Sequence, residues 1–150
     1  MKWILKSFEE LDLHELYSIL TLRTEVFVVE QSCSYLETDG KDIDCYHLLG
    51  IDDCQLVAYL RILPPKMSYV EASIGRVVVA SSYREKGLGR TMMLQAMEYI
   101  TSVWNETQIR IGAQAHLVDF YQSLGFAPVS DIYLEDNIPH VDMLYVKPDI

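Results

Sequence analysis

Residues that suit anion binding stand together in one turn of the chain. Residues 84–90 contain three of the 12 lysines and arginines of the 150-residue chain, together with two glycines: Arg84, Lys86, Gly87, Gly89 and Arg90. Glycine permits a positive φ and lets a ligand approach the backbone closely. A helix is predicted to begin at Leu88, and the first amides of a helix attract anions because they have no internal partners. We therefore predict that residues 84–90, called the anion turn below, bind a phosphate or a similar group.

Two familiar glycine motifs do not fit the anion turn. A Walker P-loop requires Gly-Lys-Ser/Thr at its end, whereas Gly89 is followed by Arg90 and Thr91. A dinucleotide-binding fingerprint requires a third glycine where Met92 stands. An ordinary solvent-exposed turn before a helix stays the alternative to an anion site.

Hydrophobic patterning predicts the elements on either side of the anion turn. Residues 72–80 end in branched apolar side chains, which is typical of a strand buried on both faces. Apolar residues at helical spacing predict a helix of about four turns from Leu88 to Trp104. A strand is predicted at residues 108–113, and a short helix is predicted at residues 118–124, where Gly125 ends it. The anion turn is thus placed between a buried strand and a helix N-terminus.

The other segments predict a mixed α/β sheet in a single domain that spans residues 1–150. A capping Asp12 begins a helix that runs to Phe27. Residues 34–44 are polar and acidic and predict a loop. Further strands are predicted at residues 3–6, 46–51, 55–63, 128–134 and 140–146, with a hairpin turn at Asp52 and Asp53.

Charge and hydropathy limit the partners and the location of the chain. Its 22 acidic and 12 basic residues give a formal net charge of −10, which opposes nucleic-acid binding and favours cationic partners such as amines. Solubility alone is the simpler explanation of that charge. No apolar run is long enough for a membrane helix or a signal peptide, so we expect a cytoplasmic protein.

The cysteines do not predict a metal site. Cys33, Cys45 and Cys54 are odd in number and form no C-x-x-C pair. Cys45, His47 and Cys54 match no zinc spacing and lack a fourth ligand. We expect reduced thiols and no bound metal.

Two motifs resemble those of a known enzyme family. Arg84-x-x-Gly87-x-Gly89 after an apolar strand resembles motif A of the GNAT N-acetyltransferases, and residues 120–126 (FYQSLGF) resemble their motif B. Four further segments resemble the ElaA-like subgroup: residues 26–31 (VFVVEQ), 74–79 (IGRVVV), 113–116 (AQAH) and 135–140 (EDNIPH).

The resemblance implies a fold and a cofactor. The GNAT fold is an α/β fold whose mixed, mostly antiparallel sheet is splayed between its fourth and fifth strands and flanked by helices. The cofactor would be acetyl-CoA, with its pyrophosphate on the anion turn and its pantetheine arm beside the fourth strand as an added strand. Gln114 stands where many relatives have an asparagine that contacts pantetheine. The implied cofactor-binding residues are Val77, Val78, Val79, Arg84, Glu85, Lys86, Gly87, Leu88, Gly89, Arg90, Gln114 and Tyr121.

The resemblance also implies a general acid but no certain base. Tyr121 matches the position of the family's general acid, which protonates the leaving thiolate; packing in the core is the alternative. Ser73 stands where several relatives have a glutamate base. Glu135 and His140 are the first candidates for a base or an acceptor-site role, followed by Glu71 and His116. A chain of water molecules without a dedicated base is a further alternative.

The function implied is transfer of an acetyl group from acetyl-CoA to a primary amine of a small molecule or an aminoacyl group. A protein or peptide N-acetyltransferase is the second hypothesis, and a non-catalytic acyl-CoA-binding module is the third. The oligomeric state, a single chain or a homodimer, stays open.

Overall fold

The computed structural model describes residues 1–149, which contain eight strands and three α-helices. Their bounds are β1 (Lys2–Ser7), α1 (Leu13–Arg23), β2 (Tyr46–Asp52), β3 (Gln55–Leu63), β4 (Ser73–Val79), α2 (Leu88–Ser102), β5 (Gln108–Gln114), α3 (Val118–Gln122), β6 (Phe126–Pro128), β7 (Tyr133–Glu135) and β8 (Ile138–Val146). In this part of the chain no helix has the length and apolar character needed to cross a bilayer.

The strands form two antiparallel halves that meet at one point. The first half has the order β1-β2-β3-β4, and in the second half β8 pairs with β5, β6 and β7. A parallel bridge between Ala72 and Ile109 joins the halves, and the Arg110 amide donates to the Ala72 carbonyl over 2.9 Å. Beyond this bridge β4 and β5 separate. The predicted fold, a mostly antiparallel sheet splayed between the fourth and fifth strands, is confirmed.

A β-bulge in β4 contributes to the separation. Arg61 of β3 pairs with Gly75, but Tyr59 pairs with Val78, so a single β3 residue lies opposite two residues of β4. Arg76 occupies the bulge with a φ of 50°. A bulge bends its strand and reverses which side chains face each side of the sheet. Consistent with this, Ile74 and Val77 both face the core on the α2 side.

Apolar side chains cover both faces of the first half of the sheet. Helix α2 packs on one face through Met92, Met93, Ala96, Met97 and Ile100, which are all buried. Helix α1 covers the other face through Ile19 and Leu22. As predicted, Asp12 caps α1: its side chain accepts the Glu15 amide over 2.7 Å, and Glu15 accepts the Asp12 amide in return.

Two predictions of local structure were wrong in detail. The helix predicted to reach Phe27 is α-helical only to Arg23 and continues over Thr24–Glu30 as a π-helix. The wider spacing shows in the Cys33 amide, which donates to the carbonyl of Val28, five residues earlier. The hairpin turn lies at Asp53 and Cys54, both at positive φ, because Asp52 already pairs with Gln55.

The strand predicted at residues 128–134 is instead two short strands, β6 and β7, which both pair with β8. Between β6 and β7, the chain forms hydrogen bonds to Asp142 that do not follow the pattern of a β-ladder. Val129 donates its amide to the Asp142 carbonyl, and the Ser130 hydroxyl accepts the Asp142 amide. Because a side chain takes the place of a backbone acceptor, the ladder is interrupted.

Candidate active site

A cavity of about 580 Å³ lies where β4 and β5 separate. It brings together these sequence-predicted site residues: Val77, Val78, Val79, Arg84, Gln114, His116, Tyr121, Glu135 and His140. Ser73 lines it as well. Glu71 is not part of its lining, and neither are residues 85–90, which follow Arg84 in the anion turn. The cavity therefore brings together the predicted cofactor-binding residues of β4, the predicted general acid and the first candidates for the base.

A short segment beside the cavity, after the π-helix, forms hydrogen bonds to the second half of the sheet. The side-chain amide of Gln114 donates a long hydrogen bond of 3.5 Å to the Gln31 side chain. Nearby, the Cys33 thiol donates to the Asp136 carbonyl, with 3.3 Å between sulfur and oxygen. We call residues 31–33 the strap. The predicted pantetheine contact, Gln114, is thus already engaged by the strap.

The backbone of the anion turn is arranged as an anion site requires. Gly87 precedes α2 at a φ of 75°, and no side chain among residues 1–149 caps the helix. Glu85 is also at positive φ. The first amides of α2 are consequently free for a ligand, and the helix dipole adds to their attraction for an anion. An L side chain at Gly87 would be strained at this φ, which explains the glycine.

The three cations of the anion turn each have a partner in the protein. Arg84 donates to both carboxylate oxygens of Glu30, at 2.7 and 3.1 Å, and to the Val79 carbonyl. Lys86 lies 4.9 Å from the centre of the Tyr83 ring. Arg90 donates to the Ser123 hydroxyl over 3.2 Å. Glu30 comes from the π-helical segment, and no local signal in the sequence connects it with Arg84.

Tyr121 presents a protonated phenol to the cavity. Its side chain is 7% exposed and packs edge-on against Phe120 and Phe126. No hydrogen bond within residues 1–149 engages its hydroxyl, and burial raises its pKa to about 12. A phenol in this environment keeps its proton at neutral pH and can donate it to a group that gains negative charge.

His140 and Glu135 form a pair beside the same cavity. His140 Nδ1 lies 2.7 Å from the Ile138 carbonyl oxygen, which can only accept, so Nδ1 carries the proton in the neutral ring. His140 Nε2 is then free to take a proton, and it lies 3.6 Å from a Glu135 carboxylate oxygen. Tyr133 stacks on the imidazole. A positioned imidazole with a carboxylate neighbour is a suitable general base.

Buried and half-buried ion pairs fasten the acidic loop, residues 34–44, to the wall of the cavity. Three arginines from α1, β3 and β4 bind three of its acids through the pairs Arg23–Glu37, Arg23–Asp42, Arg61–Asp39, Arg61–Asp42 and Arg76–Glu37, with N–O distances of 2.5 to 2.9 Å. These carboxylates are therefore neutralised within the protein. The sequence analysis missed this network, although an arginine inside the apolar strand β3 signals a buried partner.

The ion-pair network should make the folded protein less stable at low pH. Burial alone would raise the pKa of the Asp42 and Asp39 carboxyls, but hydrogen bonds and charge from the arginines lower it below the usual value. A lowered folded-state pKa stabilises the protein above the unfolded value of about 4, and this stabilisation is lost as the pH falls below it. We expect the melting temperature to fall between pH 5 and about pH 3, and Asp39→Asn to show a shallower fall. An equal slope in both proteins would contradict this assignment.

A glycine makes room for two phenols at the cavity. A Cβ at Gly112 would lie 3.1 Å from the Tyr133 hydroxyl and 3.2 Å from the Tyr69 hydroxyl. Tyr133 donates to Asp142 over 2.6 Å, and Asp142 also accepts from Arg110. The β5 side of the cavity is therefore fixed by a charged hydrogen-bond network.

This fold and site define the class of protein: the chain belongs to the GNAT acetyltransferases, since the family profile described as "Acetyltransferase (GNAT) domain" matches residues 25–147. The chain is 43% identical to protein ElaA of Escherichia coli K12 over 145 residues, which are 95% of each chain. The predicted resemblance to the ElaA-like subgroup is confirmed.

Solved structures agree with the sequence comparison. The crystal structure of Escherichia coli ElaA matches with a TM-score of 0.90 and 42% identity over 96% of this chain and 98% of that one. An acyl-CoA N-acyltransferase from Pseudomonas aeruginosa matches with a TM-score of 0.92 and 46% identity over 97% and 99%. An aminoglycoside 6'-N-acetyltransferase complexed with coenzyme A shares the fold alone, at 16% identity and a TM-score of 0.72 over 97% and 99%.

Proposed function

We propose that this protein transfers the acetyl group of acetyl-CoA to a primary amine of a small molecule or an aminoacyl group. The observation that carries this proposal is one cavity that joins the open edge of β4, Arg84 of the anion turn and the phenol of Tyr121. Membership of the GNAT family and the likeness to an acyl-CoA N-acyltransferase support an acyl-CoA donor.

The cavity and the anion turn fit the parts of coenzyme A. Beyond the bridge at Ala72, no strand of residues 1–149 pairs with β4 on its β5 side, so the backbone at Val77, Val78 and Val79 can pair with the amides of a pantetheine arm. The free amides of α2, Arg84 and Lys86 suit a pyrophosphate. Acetyl-CoA, when bound, supplies a thioester that an amine can attack.

The proton transfers are assigned to two groups on the β5 side of the cavity. An alkyl amine has a pKa of about 10.4 and must lose a proton before it can attack. His140 Nε2 accepts that proton, directly or through water, and Glu135 stabilises the resulting imidazolium. Tyr121 holds the proton that the leaving group needs. A backbone amide near Val77 or Val78 stabilises the developing oxyanion.

The experiment for this proposal measures free thiol release from acetyl-CoA with a panel of primary amines and short peptides. Release with small amines or aminoacyl compounds supports the proposal. Release with peptides alone favours the protein or peptide acetyltransferase. Tight binding of acetyl-CoA with no release from any acceptor favours the non-catalytic acyl-CoA-binding module.

The cofactor assignment predicts a difference between the two members of the Arg84–Glu30 pair. Arg84→Gln removes a charged hydrogen-bond donor worth about 1.5–3 kcal/mol, so the Kd of coenzyme A should rise about ten- to hundredfold. Glu30→Gln frees the Arg84 guanidinium and should leave the affinity equal or tighter. Calorimetric titration measures both values. If both variants lose affinity alike, the pair is a structural link and Arg84 does not bind the pyrophosphate.

A further inference from the structure

The cavity continues past the residues proposed to hold the cofactor. It follows β4 from Val79 back to Ser73, and at the Ser73 end it is lined by Leu63 and the β3–β4 loop. Because the anion turn lies after Val79, a cofactor bound there leaves the Ser73 end for the acceptor. This end of the cavity is called the acceptor end below.

One wall of the acceptor end has a cation without a partner carboxylate. The cations that line this wall are Lys41, Arg61 and Arg76. The two arginines are paired with acids of the acidic loop. Lys41 forms no ion pair within residues 1–149; its ammonium donates to the Ser68 hydroxyl over 2.8 Å. The neighbouring Asp39 binds the backbone amide of Lys41 and the guanidinium of Arg61 instead.

Two buried polar atoms of the same network have no hydrogen-bond partner within residues 1–149: the donor Arg61 Nε and the acceptor Glu37 Oε2. Arg61 is 4% exposed, and its Nε has no acceptor within the described part of the chain. This atom is 3.8 Å from the position that a Cβ on Gly75 would take, and Gly75 lines the cavity. A buried donor without a partner is uncommon and calls for an explanation. Together with Arg23, this cluster holds four cations and three carboxylates (Glu37, Asp39 and Asp42), so an anionic oxygen beside Lys41 would balance its charge.

Acidic residues line the cavity on the other half of the sheet. Glu135 and Asp136 come from the β7–β8 hairpin, and within residues 1–149 neither pairs with a lysine or an arginine. An amine would find negative charge there, close to His140. The net charge of −10 does not outweigh this local pattern, because charges in solution are screened over about 8 Å at physiological ionic strength.

We infer that the acceptor carries a carboxylate as well as its amine, and that Lys41 binds this carboxylate while the amine lies toward Glu135 and His140. The inference rests on the proposed function and specifies its substrate class: amino acids or compounds with the same two groups. A free amino acid and the C-terminus of a short peptide share this chemistry.

The experiment compares acceptors that differ only in the carboxylate. Thiol release is measured for each standard amino acid and its amide, and for dipeptides with a free or an amidated C-terminus. The inference expects a tenfold or greater preference in kcat/KM for the free carboxylate in at least one pair. A preference for the free carboxylate among amino acids identifies a free amino acid as the acceptor. A preference that is confined to dipeptides identifies the C-terminus of a peptide as the group that Lys41 binds. Equal kcat/KM values in every active pair would overturn it.

Lysine variants test whether Lys41 is responsible. Lys41→Met should bring the ratio of acid to amide close to one by raising KM for the acid, and Lys41→Arg should restore most of the preference. Lys66→Met removes the same charge from the β3–β4 loop at a position outside the cavity lining and should keep the wild-type ratio. A preference that survives Lys41→Met would overturn the role of Lys41.

Acceptor binding provides a readout that does not depend on turnover. Calorimetry with the coenzyme A-saturated protein should show weaker binding of the preferred acid to Lys41→Met than to the wild type. Failure of the proposed function would look different, because no amine of any kind would then release thiol.

Discussion

Tyr121→Phe is expected to lower kcat by about 10²- to 10⁴-fold, the usual contribution of a positioned general acid. The substitution keeps the ring that packs against Phe120 and Phe126 and removes only the hydroxyl. Since no hydrogen bond within the described residues holds that hydroxyl, its loss leaves no buried partner unsatisfied. We therefore expect the melting temperature and the affinity for coenzyme A to stay near the wild-type values.

Steady-state kinetics with a saturating acceptor measures this effect, and Tyr145→Phe is the matched control. Tyr145 also packs on Phe126, but it does not line the cavity, so its hydroxyl should not affect turnover. The raised pKa of Tyr121 adds an expectation for wild-type kcat: no loss from ionisation of this phenol should appear below about pH 11. Wild-type turnover in Tyr121→Phe would assign the residue to packing alone.

Arg23→Met is expected to lower the free energy of unfolding by about 3–5 kcal/mol, the usual cost of breaking a buried ion pair from one side. Arg23 is 0% exposed and binds both Glu37 and Asp42. Methionine has a comparable length but no charge, and the two carboxylates would lose a buried partner. The change should fall on stability and on the order of the acidic loop, since Arg23 does not line the cavity.

Denaturant unfolding of the wild type and Arg23→Met measures this difference. Lys6→Met is the control, because Lys6 and Glu15 form an ion pair that is more exposed than the Arg23 pairs and should contribute less. The double variant Arg23→Met with Glu37→Gln should recover part of the loss, since Arg76 alone would otherwise have to neutralise the buried Glu37 carboxylate. A loss below about 1 kcal/mol in Arg23→Met would contradict a structural role for the network.

The parts of the molecule that the sequence predicts well depend on local pattern. The bounds of β3 and the start of α2 at Leu88 follow from apolar spacing and from the glycines at positions 87 and 89. Gly125 ends the α3 region at a φ of 101°, as its position after an apolar run predicts. Such features depend on neighbours along the chain, so one sequence is enough to locate them.

The features that were missed depend on contacts between distant segments. Glu30 and Arg84 are 54 residues apart, and nothing near either residue indicates the other. The division of the predicted strand at residues 128–134 depends on Ser130, which binds Asp142 of β8. Arg61, like Arg76 in β4, was a local indication of the buried network, because a charge inside an apolar strand requires a partner. Its partners in the acidic loop could not be named from spacing.

The bulge at Arg76 makes the number of residues in β4 as important as their types. Deleting this one position would restore regular pairing with β3, and Val77 and Val79 would still face the α2 side because Val77 would then stand two positions after Ile74. The strand would also lose the bend that accompanies its departure from β5. A variant that keeps the opening between β4 and β5 must therefore keep the number of residues between Ser73 and Val79. The loop before Ser73 can change length without altering the pairing of β4 with β3.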